Sequence, residues 1–206
     1  MVEIFAQQYQ CNVSRLEYEN FNEFDIQKIK RGSIVYIANP NGNNGHCFMP
    51  DEIDYIRKTC ELLILDEAYI DYGGQTVVDT TDDKLITIRT LSKSLGVAGL
   101  RCGYAVSSKS NITAIQSTRP PIVTTGATAY IIPKLLCHIE STVSRMIKCK
   151  DYLNSRYDHV TSHGNYVLLH NKHASAFKNV KFATKDNYLR MALTNKNIIK
   201  EHINEY

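Results

Sequence analysis

The chain has 206 residues, 43% of them hydrophobic and 22% charged, which is the balance of a soluble globular protein with a buried core. Its 24 Lys and Arg against 21 Asp and Glu leave a net charge of +3, and the basic residues are scattered rather than gathered in a stripe, which argues against a nucleic-acid binder. No apolar run approaches the length of a membrane span, and Met1-Val-Glu-Ile-Phe-Ala-Gln-Gln lacks the basic start and apolar stretch of a secretory signal. The length suits one ordinary domain, or one large domain with a small appendage.

In chain order, Val2 to Cys11 carries apolar residues at helical spacing and reads as a helix. Asn12 to Leu16 reads as a short strand. Phe24 to Lys30 reads as a helix stopped by Arg31-Gly32. Ser33-Ile-Val-Tyr-Ile-Ala-Asn39 is expected to be a buried strand ending in the turn-rich loop Pro40-Asn-Gly-Asn-Asn-Gly45. Pro50 with two acids behind it opens a helix through Cys60. Leu62-Leu-Ile-Leu-Asp66, Leu85-Ile-Thr-Ile-Arg-Thr90 and Cys102 to Ser107 read as further strands.

Strands alternating with helices imply crossover units and a mostly parallel sheet, with Asn39, Asp66 and Lys93 all following strand C-terminal ends, the edge where such sheets bind ligands. From about Ile122 the character changes. Ala127 to Lys150 reads as a long helix bent near Pro133, Asn165 to His170 and Tyr188 to Leu193 as strands, and Asn197 to Asn204 as a closing helix. The division is therefore 1–121 and 122–206, the second a smaller α+β lobe.

Six cysteines (Cys11, Cys47, Cys60, Cys102, Cys137, Cys149) lie far apart with no Cys-x-x-Cys pair, as reduced thiols of a cytoplasmic protein do. His170 and His173 have no cysteine or carboxylate at ligand spacing, so they read as a polar turn and not a metal pair. No Gly-x-Gly-x-x-Gly follows a strand, and Gly42 to Gly45 lacks the lysine of a P-loop.

The chemistry concentrates in Leu62-Leu-Ile-Leu-Asp66-Glu-Ala-Tyr69 and Thr90-Leu-Ser-Lys93-Ser-Leu-Gly-Val-Ala-Gly-Leu-Arg101-Cys-Gly-Tyr104. A carboxylate, a phenol, a lysine and an arginine are the groups needed to hold pyridoxal phosphate (PLP): an amine for the aldehyde, an acid for the pyridine nitrogen, a guanidinium fork for the phosphate. The second string resembles the lysine signature of fold-type I, class I/II aminotransferases, and is most similar to the histidinol-phosphate aminotransferase branch, which includes threonine-phosphate decarboxylase. Asp-Glu-Ala-Tyr at 66–69, Asn39-Pro-Asn-Gly-Asn-Asn-Gly45, Asn165-Tyr-Val-Leu and Tyr188-Leu-Arg190-Met resemble the other landmarks of that branch, in the same order.

That resemblance implies a three-layer α/β/α fold with a mostly parallel sheet and a small C-terminal α+β lobe. It implies PLP as cofactor, an amino acid or amino alcohol phosphate as amino donor, and a 2-oxo acid as acceptor. It gives Lys93 the covalent bond to PLP and the proton transfer at the substrate α-carbon. Asp66 then pairs with the ring nitrogen, Tyr69 donates to the 3′-oxygen, Arg101 binds the phosphate with Thr90 and Ser92, and Arg190 clamps the substrate carboxylate. Gly42 stands where the branch has an asparagine touching the 3′-oxygen, so that Asn41 or Asn43 would have to move in. The resemblance also implies a homodimer. The chain starts where the branch's large domain is already under way, which adds two expectations: a complementing N-terminal chain, or an inactive homologue. Transamination and decarboxylation remain alternatives at this point.

Overall fold

The computed structural model describes residues 2–18, 23–177, 182–185 and 187–193. Its first sheet holds β1 (Ile34–Ala38), β2 (Leu62–Asp66), β3 (Leu85–Thr90) and β4 (Gly103–Ser107), side by side in that order. β1, β2 and β3 run parallel and β4 returns antiparallel to β3. The register sets Ala38 beside Asp66 and Asp66 beside Ile88, so β1 and β2 end level while β3 runs two residues further, to Thr90.

Strand alternation explains which face is covered. Val35, Ile37, Leu63, Leu65 and Leu85 point to one side, where Ile53 and Ile56 of helix α2 (Pro50–Thr59) and Phe48 close a core. Pro50 and the acids Asp51 and Glu52 open α2, Glu52 accepts a bond from the Met49 N–H at 2.8 Å, and Arg57 and Lys58 complement its C-terminal end. β1 is not the buried strand its apolar sequence predicts. It is the outer strand of the sheet, with Ile34 67% and Tyr36 38% exposed on the face away from α2.

Other differences have local causes. Helix α1 (Val2–Gln8) forms as expected. Asn12 to Leu16 has no ladder partner among the described residues and is not a strand. Between Phe24 and Lys30 only one 3-10 turn forms, Ile26–Lys28 capped by Asp25, because Phe24, Ile26 and Ile29 are drawn onto the core instead of onto one helical stripe. The short helix α3 (Leu91–Ser94) carries Lys93. Helix α4 (Lys109–Thr118) was not legible, being rich in Ser, Thr and Asn, which are poor interior helix formers. Pro133 lies inside α5 (Gly126–Leu135); the break comes afterwards, as a 3-10 turn over Leu136–His138 before α6 (Ile139–Asn154), and nothing local explains the delay.

The second sheet is antiparallel, ordered β5 (His159–Val160), β6 (Tyr166–His170), β8 (Tyr188–Ala192), β7 (Phe182–Lys185). Leu153 of α6 packs with Val167, Leu169, Phe177, Met191 and Leu193 to form its core. The helix expected over Asn197 to Asn204 lies outside the described residues. No helix among the described residues is long and apolar enough to cross a membrane.

The loop before β6 ties the two sheets together. Lys150 of α6 is buried, and its Nζ donates to Ser162 O at 2.8 Å and Gly164 O at 3.4 Å. Desolvation pulls its pKa down. Ser162 lies directly on Gly45: a Cβ there would sit 2.7 Å from Ser162 Cα, and Gly45 has φ +78°, so only glycine fits. His163 lies against Gly73, whose added Cβ would come 2.5 Å from His163 Nδ1.

Burial, with the charge of Lys150 adding, holds the His163 imidazole below its ordinary pKa. A depressed histidine stays neutral in the folded chain while the unfolded chain takes up the proton first. Its contribution is therefore present above about pH 6.5 and is lost as pH falls through the folded value. We predict that His163→Gln flattens the loss of stability between about pH 7 and about pH 5, measured as urea midpoints across that range.

Candidate active site

The parallel ladder is held beyond the last residues of β1 and β2. The Asn39 N–H donates to Asp66 O at 2.9 Å, and the Glu67 N–H to Ile88 O at 2.8 Å. Asn39 is fully buried, and its Oδ1 accepts from the Phe48 N–H at 2.8 Å, which folds the 39–48 loop back on its own strand. The Asn39–Pro40 peptide is cis. Glu67, 1% exposed, takes bonds on Oε2 from Arg89 Nε at 2.9 Å, Arg89 Nη2 at 2.8 Å and Thr76 Oγ1 at 2.9 Å. A buried carboxylate needs such pairing, and this pair links the ends of β2 and β3.

Asp66 ends β2. Its Oδ1 accepts from the Ala68 N–H at 3.0 Å, and the Tyr36 hydroxyl donates to its Oδ2. One turn further on is Tyr69, the meeting point of the site. Lys93 Nζ lies 5.3 Å from the centroid of the Tyr69 ring. Arg190 Nη2 donates to the Tyr69 hydroxyl at 3.3 Å, and Arg190 Nε donates to Gly42 O at 2.7 Å. Tyr166 meets Tyr69 edge to face at 5.6 Å and carries the Arg190 guanidinium over its own ring at 4.1 Å. The Tyr166 hydroxyl donates to Asn41 O at 2.7 Å, and burial pushes its phenol up to about 12, so it remains a donor at neutral pH.

Lys93 is set by its backbone. Thr90 caps α3, accepting from the Ser92 N–H at 3.1 Å and donating to Cys102 O at 3.3 Å. The Tyr72 hydroxyl donates to Lys93 O at 2.7 Å; burial, then the charge of Asp71, push that phenol up to about 12. Beside Lys93 the buried Ser94 hydroxyl has no hydrogen-bond partner.

The structure thus brings Tyr69, Lys93 and Arg190 together, with Asp66 at the strand end that leads to Tyr69. Thr90 and Ser92 adjoin Lys93 in the chain. Arg101 is exposed, with its Nη1 donating to Ala98 O at 3.3 Å, and it holds a left-handed backbone (φ 49°, ψ 44°) that non-glycine residues seldom adopt. Asn41 is engaged within its own loop, Oδ1 accepting from the Asn43 N–H at 2.9 Å and Nδ2 donating to the Tyr18 hydroxyl at 3.3 Å. Sequence reasoning did not single out Tyr36, Glu67, Tyr72 or Tyr166. Glu67 and Tyr166 sit inside motifs already quoted, and Tyr36 shares a strand face with the last residue of β1, which was the available signal.

Gly42 has a steric reason to lack a side chain: a Cβ there would come 2.8 Å from Tyr69 Cε2. Gly42→Ala therefore has to push the ring off Arg190. We expect a loss of about 1–2 kcal/mol in urea unfolding, shrinking to near zero in a Tyr69→Ala background. Equal losses in both backgrounds would rule out the ring as the obstacle.

Comparison with known proteins follows the same motifs. The profile of the family described as aminotransferase class I and II matches residues 4–204. A histidinol-phosphate aminotransferase of Thermotoga neapolitana is 32% identical over 165 residues, covering 74% of this chain and 48% of that protein. Another, from Ruminiclostridium cellulolyticum, is matched over 43% of its length, so the chain spans about half the length of the curated relatives it matches.

Among solved structures, histidinol-phosphate aminotransferase from Sinorhizobium meliloti in complex with pyridoxal-5'-phosphate superposes with a TM-score of 0.77 at 17% identity, covering 96% of this chain and 64% of that one. L-threonine-O-3-phosphate decarboxylase from Porphyromonas gingivalis superposes at 0.68 with 18% identity, covering 95% and 70%. At those identities the likeness is one of fold, and it is the PLP fold-type I architecture expected from the sequence. With nearly every residue from Ile4 onward inside the family profile, the chain belongs to the class I and II aminotransferases.

Proposed function

We propose that the chain is the PLP-binding and substrate-clamping part of an aminotransferase of the histidinol-phosphate type, moving an amino group from an amino acid or amino alcohol phosphate to a 2-oxo acid. The observation that carries this reading is the convergence of Lys93 and Arg190 on one phenol, Tyr69, at the strand end that bears Asp66. The donor set fits PLP. It offers an amine for the aldehyde, a phenol for the ring oxygen and a carboxylate for the ring nitrogen, and the residue after Lys93, Ser94, has a buried hydroxyl without a partner. Bound PLP supplies an aldehyde that links to amines and a ring that withdraws electron density.

The chain's own residues do the rest. Lys93 would hold the cofactor at its aldehyde carbon, and its amine, when free, would move a proton to or from the substrate α-carbon. Asp66 would face the ring nitrogen, and Tyr69 would donate to the ring oxygen. Arg190 spends its Nε and one Nη2 proton on Gly42 O and Tyr69, leaving the outer fork of its guanidinium for a substrate carboxylate. Thr90, Ser92 and Arg101 form the phosphate-binding group. Asn41 is the loop residue assigned to the ring oxygen, where Gly42 offers no side chain.

Amino-group transfer is preferred to decarboxylation because the sequence relatives cited above are aminotransferases by name, whereas the decarboxylase is similar in fold. The same reading divides the chain into a PLP-binding region, 1–121, and a C-terminal region, 122–206. It also places the protein as a homodimer, or with a complementing chain, in a reducing cytoplasm where its six free thiols stay reduced.

Added PLP is expected to give the purified chain an absorbance band of the linked cofactor, and Lys93→Ala to abolish it; indistinguishable spectra would end the reading. Arg101→Gly separates cofactor from fold. Glycine suits the left-handed backbone, so thermal stability should hold or rise slightly, by up to about 1 kcal/mol. PLP affinity should fall about tenfold through loss of a charge-assisted phosphate contact.

A further inference from the structure

Asp66 is held by a residue outside the motifs. The register pairs Tyr36 with Ile64 and Ala38 with Asp66. Alternation then puts the Tyr36 and Asp66 side chains on the same sheet face, as diagonal neighbours on adjacent strands. That face is the one turned away from the α2 core, and Tyr36 keeps 38% of its surface exposed there. Its hydroxyl reaches Asp66 Oδ2, while the Ala68 N–H holds Oδ1.

Both carboxylate oxygens thus carry one donor, and each keeps a second lone-pair direction. Two donors, one on each oxygen, lock the side chain in one rotamer. Burial, then the bond to Asp66 and its charge, push the Tyr36 phenol above its ordinary pKa, so the hydroxyl keeps its proton and the bond keeps its direction at neutral pH.

We propose that Tyr36 is a positioning residue for the cofactor ring, acting through Asp66: its hydroxyl holds the carboxylate in one orientation, in which Asp66 would face the pyridine nitrogen. This inference rests on the PLP reading given above. It adds a determinant contributed by the outer strand of the sheet. Removing the hydroxyl leaves a carboxylate held by the Ala68 N–H alone, free to turn away from the ring nitrogen.

The test is a double-mutant cycle on the full chain, with PLP affinity and the absorbance maximum of the bound cofactor read in one titration. Tyr36→Phe removes one oxygen from a part-exposed side chain and leaves the packing in place. It should weaken PLP about fivefold and move the absorbance maximum. In an Asp66→Asn background the same change should weaken PLP by less than about twofold and leave the maximum where it was. Equal factors in the two backgrounds, or an unmoved maximum in the single variant, overturn the role of Tyr36 while leaving the cofactor reading intact. A wild-type chain that gives no band overturns the cofactor reading, and this inference with it.

Discussion

The common end of the parallel ladder, at Ala38, Asp66 and Ile88, is the constraint on which the site depends. A one-residue slip of β1 or β2 would move Asn39 or Asp66 to another height and turn its side chain to the other face. Two devices keep the ends aligned after the regular ladder stops: the backbone bonds from Asn39 to Asp66 and from Glu67 to Ile88, and the buried Glu67–Arg89 pair. The carboxylate of that pair is sealed from solvent, and the guanidinium keeps about a quarter of its surface. Such a pair adds little net stability over an apolar substitute, but losing one member strands a charge. Its value here is geometric, since Glu67 follows Asp66 directly and Arg89 precedes Thr90.

A second layer of order comes from the C-terminal sheet. Tyr166 and Arg190 lie on paired strands, β6 and β8, with Leu168 and Arg190 in register. They arrive at the site as one unit, a ring supporting a guanidinium. The 39–45 loop is the surface they land on, through Asn41 O and Gly42 O. Because both anchors are backbone carbonyls, the loop can carry Gly42 in place of the branch's asparagine without losing its hold on Arg190. The Tyr69 ring occupies the space a side chain at Gly42 would need. That departure from the family pattern is structurally coherent, and it gives Tyr69 contact with the loop, the lysine and the arginine together.

The fold's main strands were legible because each is a short apolar run bounded by turn residues, and α2 because proline and acids announce its start. The grouping of Lys93 and Arg190 about Tyr69 was legible because these residues, with Asp66, fall in ordered, family-like strings. What escaped has a common origin in tertiary context. β1 reads as a buried strand from Ile34-Val-Tyr-Ile, yet its place at the sheet's outer position leaves one face open, and no local signal encodes strand order. The α4 helix hides behind Ser, Thr and Asn. Arg101 carries a left-handed backbone that its identity does not advertise, and Tyr36 gains its partner only when a neighbouring strand supplies an aspartate thirty positions away.

Lys150 gives the C-terminal region a mechanical role. Its ammonium has no carboxylate among its bonded partners and is tied to two main-chain oxygens of the stretch that presses on Gly45. Among the described residues α6 is the longest helix, and Lys150 lies near its C-terminal end. The placement of that helix is therefore coupled, through one desolvated cation and one glycine with no room for a side chain, to the seating of the asparagine-glycine loop.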